Sequence, residues 1–314
     1  MNNQNDMSTL NILYSSDENY AQHLGVSMYS LLKTNQDSDK IHVYIIDNEI
    51  SADNQAKLRR VAAEFSKTGI DFIPFAHWKE KLKLNMEWNI SLSSYARLFM
   101  DSMLPASVNR ILYLDCDMIV CDSLRQMWET DLEGCVLGAV QDSIGDETKN
   151  AVGLSPNERY FNAGMLLVDL ARWRADHMEE KCLQFIADRN GNVIHHDQGV
   201  LNGLCHHSVK ILPVRNNLMT IHFIYTRAQT LKYFGEHASF YSEKEIQRAK
   251  DSPVILHYTP SFTCRPWVKG CAHPRKDLYW KTLAKTPWDG ALPQKNRTPL
   301  HVRLVEWRYR IFPY

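Results

Sequence analysis

No two cysteines in this chain are spaced as CxxC, although Cys116, Cys121, Cys135, Cys182, Cys205, Cys264 and Cys271 are present. An odd number without paired spacing argues against a disulfide framework and points to a reducing, cytoplasmic setting. No window approaches the roughly 20 apolar residues that span a bilayer, and Met1 to Ser8 contain no apolar stretch of the signal-peptide kind. Excess charge is also missing. Lys plus Arg and Asp plus Glu both number 36, so no global field recruits nucleic acid or anionic lipid. Internal repeats and low-complexity segments are absent too. What remains is a chain of 314 residues, 44% hydrophobic and 23% charged, the composition of an ordinary soluble protein with a large core. Cys205, His206 and His207 are adjacent, but no second ligand pair stands at zinc-site spacing.

The first half alternates two kinds of segment. Leu10–Tyr14, Ile41–Ile46 and Ile70–Phe75 are short apolar runs of strand type. Between them, Ala21–Lys33 and a segment capped by Ser51 carry apolar residues at helical spacing. That order predicts an α/β domain with a parallel sheet covered by helices. Ser91–Met103 reads as a further helix, followed by strands at Ile111–Leu114 and Val136–Val140. Tyr160–Val168 reads as a strand, Asp169–Asp188 as a helix and Val254–Tyr258 as another strand.

Asp115 and Asp117 stand one residue apart where the apolar run Ile111–Leu114 ends. Ligands of α/β sheets bind at the carboxyl ends of strands. Two carboxylates so close repel unless a cation or hydrogen-bond donors compensate. A divalent metal shared with a phosphorylated substrate is the economical reading, and a solvated turn with two Asp residues is the alternative. His257 follows a strand in the same way, either as a structural histidine or as a ligand. Arg97 interrupts an apolar helical pattern and suits phosphate recognition if it faces the site. Asp197, after His195 and His196, serves either chemistry or helix capping. Beyond Pro287 the residues Lys295, Arg297, Arg303, Arg308 and Arg310 mix with Trp307, Tyr309 and Phe312. A helix of that kind either meets a membrane interface or docks on the domain.

Six short motifs occur in a characteristic order: Ser16–Tyr20, Ser94–Leu98, Leu112–Asp117, Phe161–Gly164, Asp197–Asn202 and His257–Tyr258. Together, over about residues 10 to 270, they resemble the retaining glycosyltransferases of family 8. That family includes bacterial lipooligosaccharide galactosyltransferases and lipopolysaccharide glucosyltransferases, with glycogenin a distant relative. The resemblance implies a GT-A fold, a Rossmann-like mixed sheet flanked by helices, over residues 1–286. Residues 287–314 are left as a basic, aromatic C-terminal helical tail, which by its composition either attaches peripherally at the cytoplasmic face of a membrane or docks on the domain. It implies a UDP-hexose donor, glucose or galactose, a saccharide or lipid-linked saccharide acceptor, and manganese, with magnesium as the alternative. Asp115, Asp117 and His257 are the implied metal ligands. Ser15, Asp17, Asn19, Tyr20, Cys116 and Ala163 are implied to meet the nucleotide-sugar, Tyr20 by stacking on the base. Arg97, Asp142, Asn162, Asp197 and Gln198 are implied at the donor sugar or its phosphates, and Asp197 and Gln198 as catalytic residues. An amide is a poor nucleophile, so Gln198 is expected to stabilise an oxocarbenium-like transition state.

The segment from His257 to Trp267 departs from the family's pattern. It lacks a glycine that relatives carry, is two residues longer, and has Arg265 where they have lysine. Pro260 offers no N–H to a phosphate, whereas Arg265 can bind one bidentately. Two other readings compete. A haloacid-dehalogenase-like phosphatase also places Asp-x-Asp after an apolar strand, with the first Asp as nucleophile. A catalytically idle UDP-sugar-binding protein is the second, invited by the altered loop.

Overall fold

The computed structural model describes residues 9–79, 92–235, 240–260, 263–298 and residues 303, 304 and 307. Two sheets organise the chain. The larger has seven strands: β1 (Thr9–Asp17), β2 (Lys40–Asn48), β3 (Thr68–Pro74), β4 (Arg110–Leu114), β6 (Leu137–Gln141), β7 (Phe161–Asp169) and β8 (Val209–Ile211). They lie in the order β3-β2-β1-β4-β7-β6-β8. The smaller joins β5 (Met118–Val120), β10 (Ile255–His257) and β9 (Leu218–Met219), in that order.

The large sheet is mixed rather than wholly parallel. β7 runs antiparallel to both neighbours, β4 and β6, while the other pairings are parallel. This reversal has a direct consequence for the site. The first residues of β7 emerge at the same sheet edge as the last residues of β1, β4 and β6. The pairing register slips between Ala139 and Val140, so that Leu166 and Asn162 face consecutive residues of β6. A bulge of this kind re-aims side chains, here those of Asn162 and Ala163.

Strand residues alternate between two cores, as a period of two requires. Ile12 and Tyr14 of β1 face one with Leu24, Met28 and Leu31 of the helix Ala21–Thr34, while Leu13 faces the other with Tyr113 and Leu166. Polar termination is equally local. Ser51 caps the helix Ala52–Ala63 by accepting from the Asn54 amide at 3.3 Å.

Two helical expectations change. The segment expected as one helix from Ser91 is a 3-10 helix, Leu92–Phe99, followed by the short helix Met100–Met103; Ser91 lies outside the described residues. Leu92, Tyr95 and Leu98 are spaced by three, the period of a 3-10 turn. Asp169–Asp188 is two helices, Leu170–Ala175 and Met178–Ala187. His177, with a left-handed φ of 51°, breaks them, as αL residues do at helix ends.

Past the helix Lys276–Leu283 the chain stays on the domain. Trp288 is buried against Gly25 and donates from Nε1 to Asn54 Oδ1 at 3.0 Å. Gln294 bridges to Val268, and its amide donates to the Trp267 carbonyl at 2.7 Å. Of the basic, aromatic tail, Arg308, Tyr309, Arg310 and Phe312 lie outside the described residues, while Leu304 and Trp307 are exposed. Among the described residues no helix is long and apolar enough to cross a membrane.

Candidate active site

Both aspartates sit where β4 ends, and each has its two oxygens committed to different neighbours. Asp115 Oδ1 accepts from Arg97 Nη2 at 2.8 Å and from the Tyr113 hydroxyl at 2.9 Å. Its Oδ2 faces His257 Nε2 at 4.0 Å. Asp117 Oδ2 accepts from Arg265 Nε at 2.9 Å, and its Oδ1 lies 3.1 Å from His257 Nε2. Burial alone would raise the Asp117 pKa, but His257 and Arg265 outweigh it and hold the carboxyl well below the usual carboxylate range.

His257 reaches this place through the small sheet. β10 pairs antiparallel with β5, which sets His257 opposite Met118, and the Tyr258 amide donates to the Asp117 carbonyl at 2.9 Å. On its far side His257 Nδ1 meets Asn217 Oδ1 at 2.9 Å. Because the Asn oxygen can only accept, Nδ1 carries a proton, and Nε2 is the ring nitrogen left to face the two aspartates. Asp115 Oδ2, Asp117 Oδ1 and His257 Nε2 thus converge with their remaining polar atoms engaged elsewhere, and each of these residues offers a ligand atom within 4.8 Å of the others. Gly164 closes against them, and a Cβ there would sit 2.4 Å from His257 Cε1 and 2.8 Å from Asp115 Oδ2. Two carboxylates and one imidazole fit a divalent transition metal.

Arg97 is buried, and its environment explains why. Its guanidinium lies over the Tyr113 ring at 4.0 Å, bonds Asp115, meets Asp197 Oδ2 at 3.0 Å through Nε, and donates to the Ala163 carbonyl. Burial disfavours its charge, yet Asp115 and Asp197 raise its pKa well above the ordinary arginine value. Asp197 therefore does not cap its helix. The helix His196–Cys205 begins one residue earlier, after His195 and with both histidines at positive φ, which frees the Asp197 carboxylate for Arg97.

A polar network extends from this point. Gln198 donates from Nε2 to Asp142 Oδ2 at 3.1 Å, and its Oε1 accepts from the Ala163 amide at 3.0 Å. Asn162 Nδ2 reaches the same Asp142 oxygen at 3.1 Å. Asn162 Oδ1 accepts from Asn217 Nδ2 at 2.9 Å. Asn217 thus joins the metal-ligand triad to the group around Asp142.

The end of β1 forms another wall. Asp17 Oδ1 accepts from the Tyr20 amide at 3.1 Å, turning the chain through the 3-10 helix Glu18–Tyr20. Cys116 is buried and donates from Sγ to the Ser15 carbonyl at 3.3 Å; burial raises its thiol well above the ordinary value. Tyr20 meets Trp267 edge-on at 6.2 Å between ring centroids, and Trp267 stacks on His23 at 3.7 Å. His23 Nδ1 meets the Tyr279 hydroxyl at 2.7 Å, and burial lowers its pKa to about 3.

A cleft of about 1650 Å³ brings together Asn19, Tyr20, Arg97, Asp115, Asp142, Asn162, Ala163, Asp197, Gln198 and Arg265. A smaller one of about 200 Å³ adjoins it, lined by Ser15, Asp17, Cys116 and Asp117. His257 stands behind both, buried. The residues singled out for the metal and the nucleotide-sugar therefore fall in one region. Asn217, His23 and Tyr113 were not singled out. Asn217 follows Pro213 in a stretch that reads as loop, and nothing in its spacing marks it. Ser261 and Phe262 of the departing loop lie outside the described residues. Cys205 is buried, and His206 and His207 face Glu158, with Nε2 to Oε1 distances of 3.4 and 3.6 Å.

The family model for glycosyl transferase family 8 matches residues 11–271. General stress protein A of Bacillus subtilis (strain 168) is 26% identical over 289 residues, covering 89% of this chain and 95% of that protein. The lipopolysaccharide 1,2-glucosyltransferase of Escherichia coli (strain K12) is 27% identical over 318 residues, covering 98% and 86%. The solved structure of galactosyltransferase LgtC, in complex with donor and acceptor sugar analogues, is similar at a TM-score of 0.71. It is 26% identical, covering 94% of this chain and 100% of that one.

Proposed function

The chain belongs to glycosyl transferase family 8 and has the GT-A fold, and from that premise we propose that it moves glucose or galactose from a UDP-sugar to a saccharide acceptor. The reading includes retention of anomeric configuration and dependence on a divalent cation, manganese before magnesium. One observation carries it: the convergence of Asp115 Oδ2, Asp117 Oδ1 and His257 Nε2 beside a polar cleft that Asp115 lines. Family membership removes the phosphatase reading. The intact ligand triad argues against an idle scaffold.

In this reading Asp115, Asp117 and His257 hold the cation, which neutralises charge on the diphosphate leaving group when bound. Asp17 and Asn19 meet the uracil and ribose, with Tyr20 stacking on the base, and Ser15 and Cys116 line the same end. Arg265 leaves Asp117 to clamp the diphosphate, a task suited to a guanidinium. Asp142, Asn162 and Ala163 hold the sugar. Gln198 turns its carbonyl dipole to the developing oxocarbenium, and Asp197 fixes Arg97 behind it. The acceptor enters from the open side of the cleft. The basic and aromatic residues of 295–314 attach the protein peripherally at the cytoplasmic face of a membrane, where a lipid-linked saccharide is met.

Incubation with UDP-glucose or UDP-galactose and manganese, followed by measurement of UDP release, tests the reading. The expected result is release with one hexose preferred and its loss in Asp117→Asn. Near-parental turnover by that variant would overturn the metal assignment, and binding of UDP-sugar without turnover would favour the scaffold.

A further inference from the structure

Cys264 and Cys271 bracket the loop that carries Arg265 and Trp267. In its thiol form Cys271 donates from Sγ to the Cys264 carbonyl at 2.8 Å, which sets the Cys271 sulfur against residue 264. Thr263 Oγ1 lies 3.8 Å from that sulfur, and the His273 amide donates to it at 3.4 Å. Cys264 lines the large cleft, whereas Cys271 is buried behind it. The Cys264 thiol is the chief partner lowering the Cys271 pKa, to about 6. Burial opposes it, while His273, Thr263 and Lys276 reinforce it. Thiolate character of this kind marks a reactive cysteine.

Another facing pair shows the contrast. Cys205 bears on Cys182, but both are buried in the core. Burial pushes Cys205 up to about 12 and Cys182 well above its ordinary value. Those thiols are inert packing groups. The Cys264–Cys271 pair differs in having one member at the cleft and the other poised as a thiolate.

We propose that Cys264 and Cys271 form a reversible disulfide that closes the base of the Arg265–Trp267 loop and weakens nucleotide binding. The effect on the nucleotide rests on the UDP-sugar reading above. The oxidant is a peroxide. The Cys264 sulfur attacks one peroxide oxygen while its proton passes to Cys271. The O–O bond breaks and hydroxide leaves, giving a sulfenic acid on Cys264. The Cys271 sulfur then attacks that sulfur, the S–S bond forms, and a second hydroxide leaves. The proton that Cys264 handed to Cys271 is released in this step and converts one hydroxide to water, a solvent proton converts the other, and the two sulfurs lose two electrons to one peroxide. A dithiol reductant reverses the change.

The consequence follows from the loop's other contacts. Arg265 Nε is bonded to Asp117 Oδ2, and Trp267 is stacked on His23. A covalent bond at Cys264 holds the neighbouring Arg265 at one position, whereas clamping a diphosphate requires it to move from Asp117.

The full chain should be treated with hydrogen peroxide, mapped by non-reducing peptide mass analysis, and titrated with UDP and manganese before and after. The expected results are a Cys264–Cys271 disulfide and UDP binding weaker by about tenfold, a normal size for coupling between linked sites. Dithiothreitol should restore binding. Cys271→Ser should bind UDP like the reduced parent and ignore peroxide, while Cys135→Ser should stay sensitive. Absence of the 264–271 disulfide, or unchanged UDP binding by the disulfide form, overturns the proposal. A reduced parent that binds no UDP counts against the functional reading, and the peptide map still decides the cysteine pairing.

Discussion

Asn217 Oδ1 lies 2.9 Å from His257 Nδ1, and this contact sets which imidazole nitrogen faces the two aspartates. Asn217 is fully buried, and its Nδ2 is engaged by Asn162 Oδ1, so its amide cannot turn without breaking a second bond. Replacing it by Leu removes the acceptor and leaves the histidine free to change tautomer. Loss of such an outer partner lowers metal affinity by about 10- to 100-fold. Manganese titration of Asn217→Leu should show that drop with the fold retained by circular dichroism. Parental affinity would disconnect Asn217 from the site.

Arg97 presents a different case, a buried cation among Asp115, Asp197 and the Ala163 carbonyl. Removing one member of a buried charge group costs about 3–5 kcal/mol, because the partners remain buried and unpaired. Urea unfolding of Arg97→Met should show a loss of that size. Arg97→Lys should recover part of the stability without recovering turnover, since an ammonium cannot span three acceptors in the geometry of a planar fork. A destabilisation well under 1 kcal/mol in Arg97→Met would mean that the two carboxylates relax into water.

Much of the site was legible because polar residues stand where apolar runs stop. Asp17, Asp115, Asp142 and His257 all stand at or just past strand ends, and strand ends are where an α/β sheet binds ligands. Asn217 left no such trace, since its importance comes from the parallel pairing of β9 with β10, which sets it beside His257. The role of Asp197 was also hidden. A carboxylate after two polar residues looks like a cap, and only the left-handed turn at His195 and His196 makes it the second residue of its helix. Helical periodicity ran through Asp176 and His177 without a glycine or proline to mark the break. The antiparallel course of β7 could not be read from its own residues, because strand direction depends on what each strand pairs with.

Acid should destabilise the fold through three buried histidines. Burial lowers the pKa of His23 and His222 to about 3 and that of His273 to about 4, from an ordinary value of 6.5. The unfolded chain therefore takes up protons that the folded chain refuses as pH falls below 6.5. Stability is complete above that value and declines from there toward pH 4. At one unit below 6.5 each group costs about 1.4 kcal/mol, or about 4 kcal/mol for the three. Urea unfolding at pH 7.5 and pH 5.5 should reveal this difference. His23→Gln should lessen it by the share of one histidine. Equal stability at the two pH values would show that the histidines ionise in place.

Gly164 sets the last test, because its backbone is ordinary and its surroundings are not. It lies in β7 with no positive φ, so alanine suits the chain conformation there. The added methyl would approach His257 Cε1 to 2.4 Å and Asp115 Oδ2 to 2.8 Å. Neither neighbour can yield freely, since His257 is held by Asn217 and Asp115 by Arg97 and Tyr113. Overpacking of this kind costs about 1–3 kcal/mol, a loss the fold should survive. Relief then comes from parting His257 and Asp115, the two groups a cation needs together. Gly164→Ala should thus weaken manganese binding by at least about tenfold, comparable to removal of an outer partner. Gly145→Ala provides the control, because its methyl would meet only the Phe234 carbonyl, at 3.9 Å. If Gly164→Ala binds manganese as the parent does, the cation is held somewhere other than between Asp115 and His257.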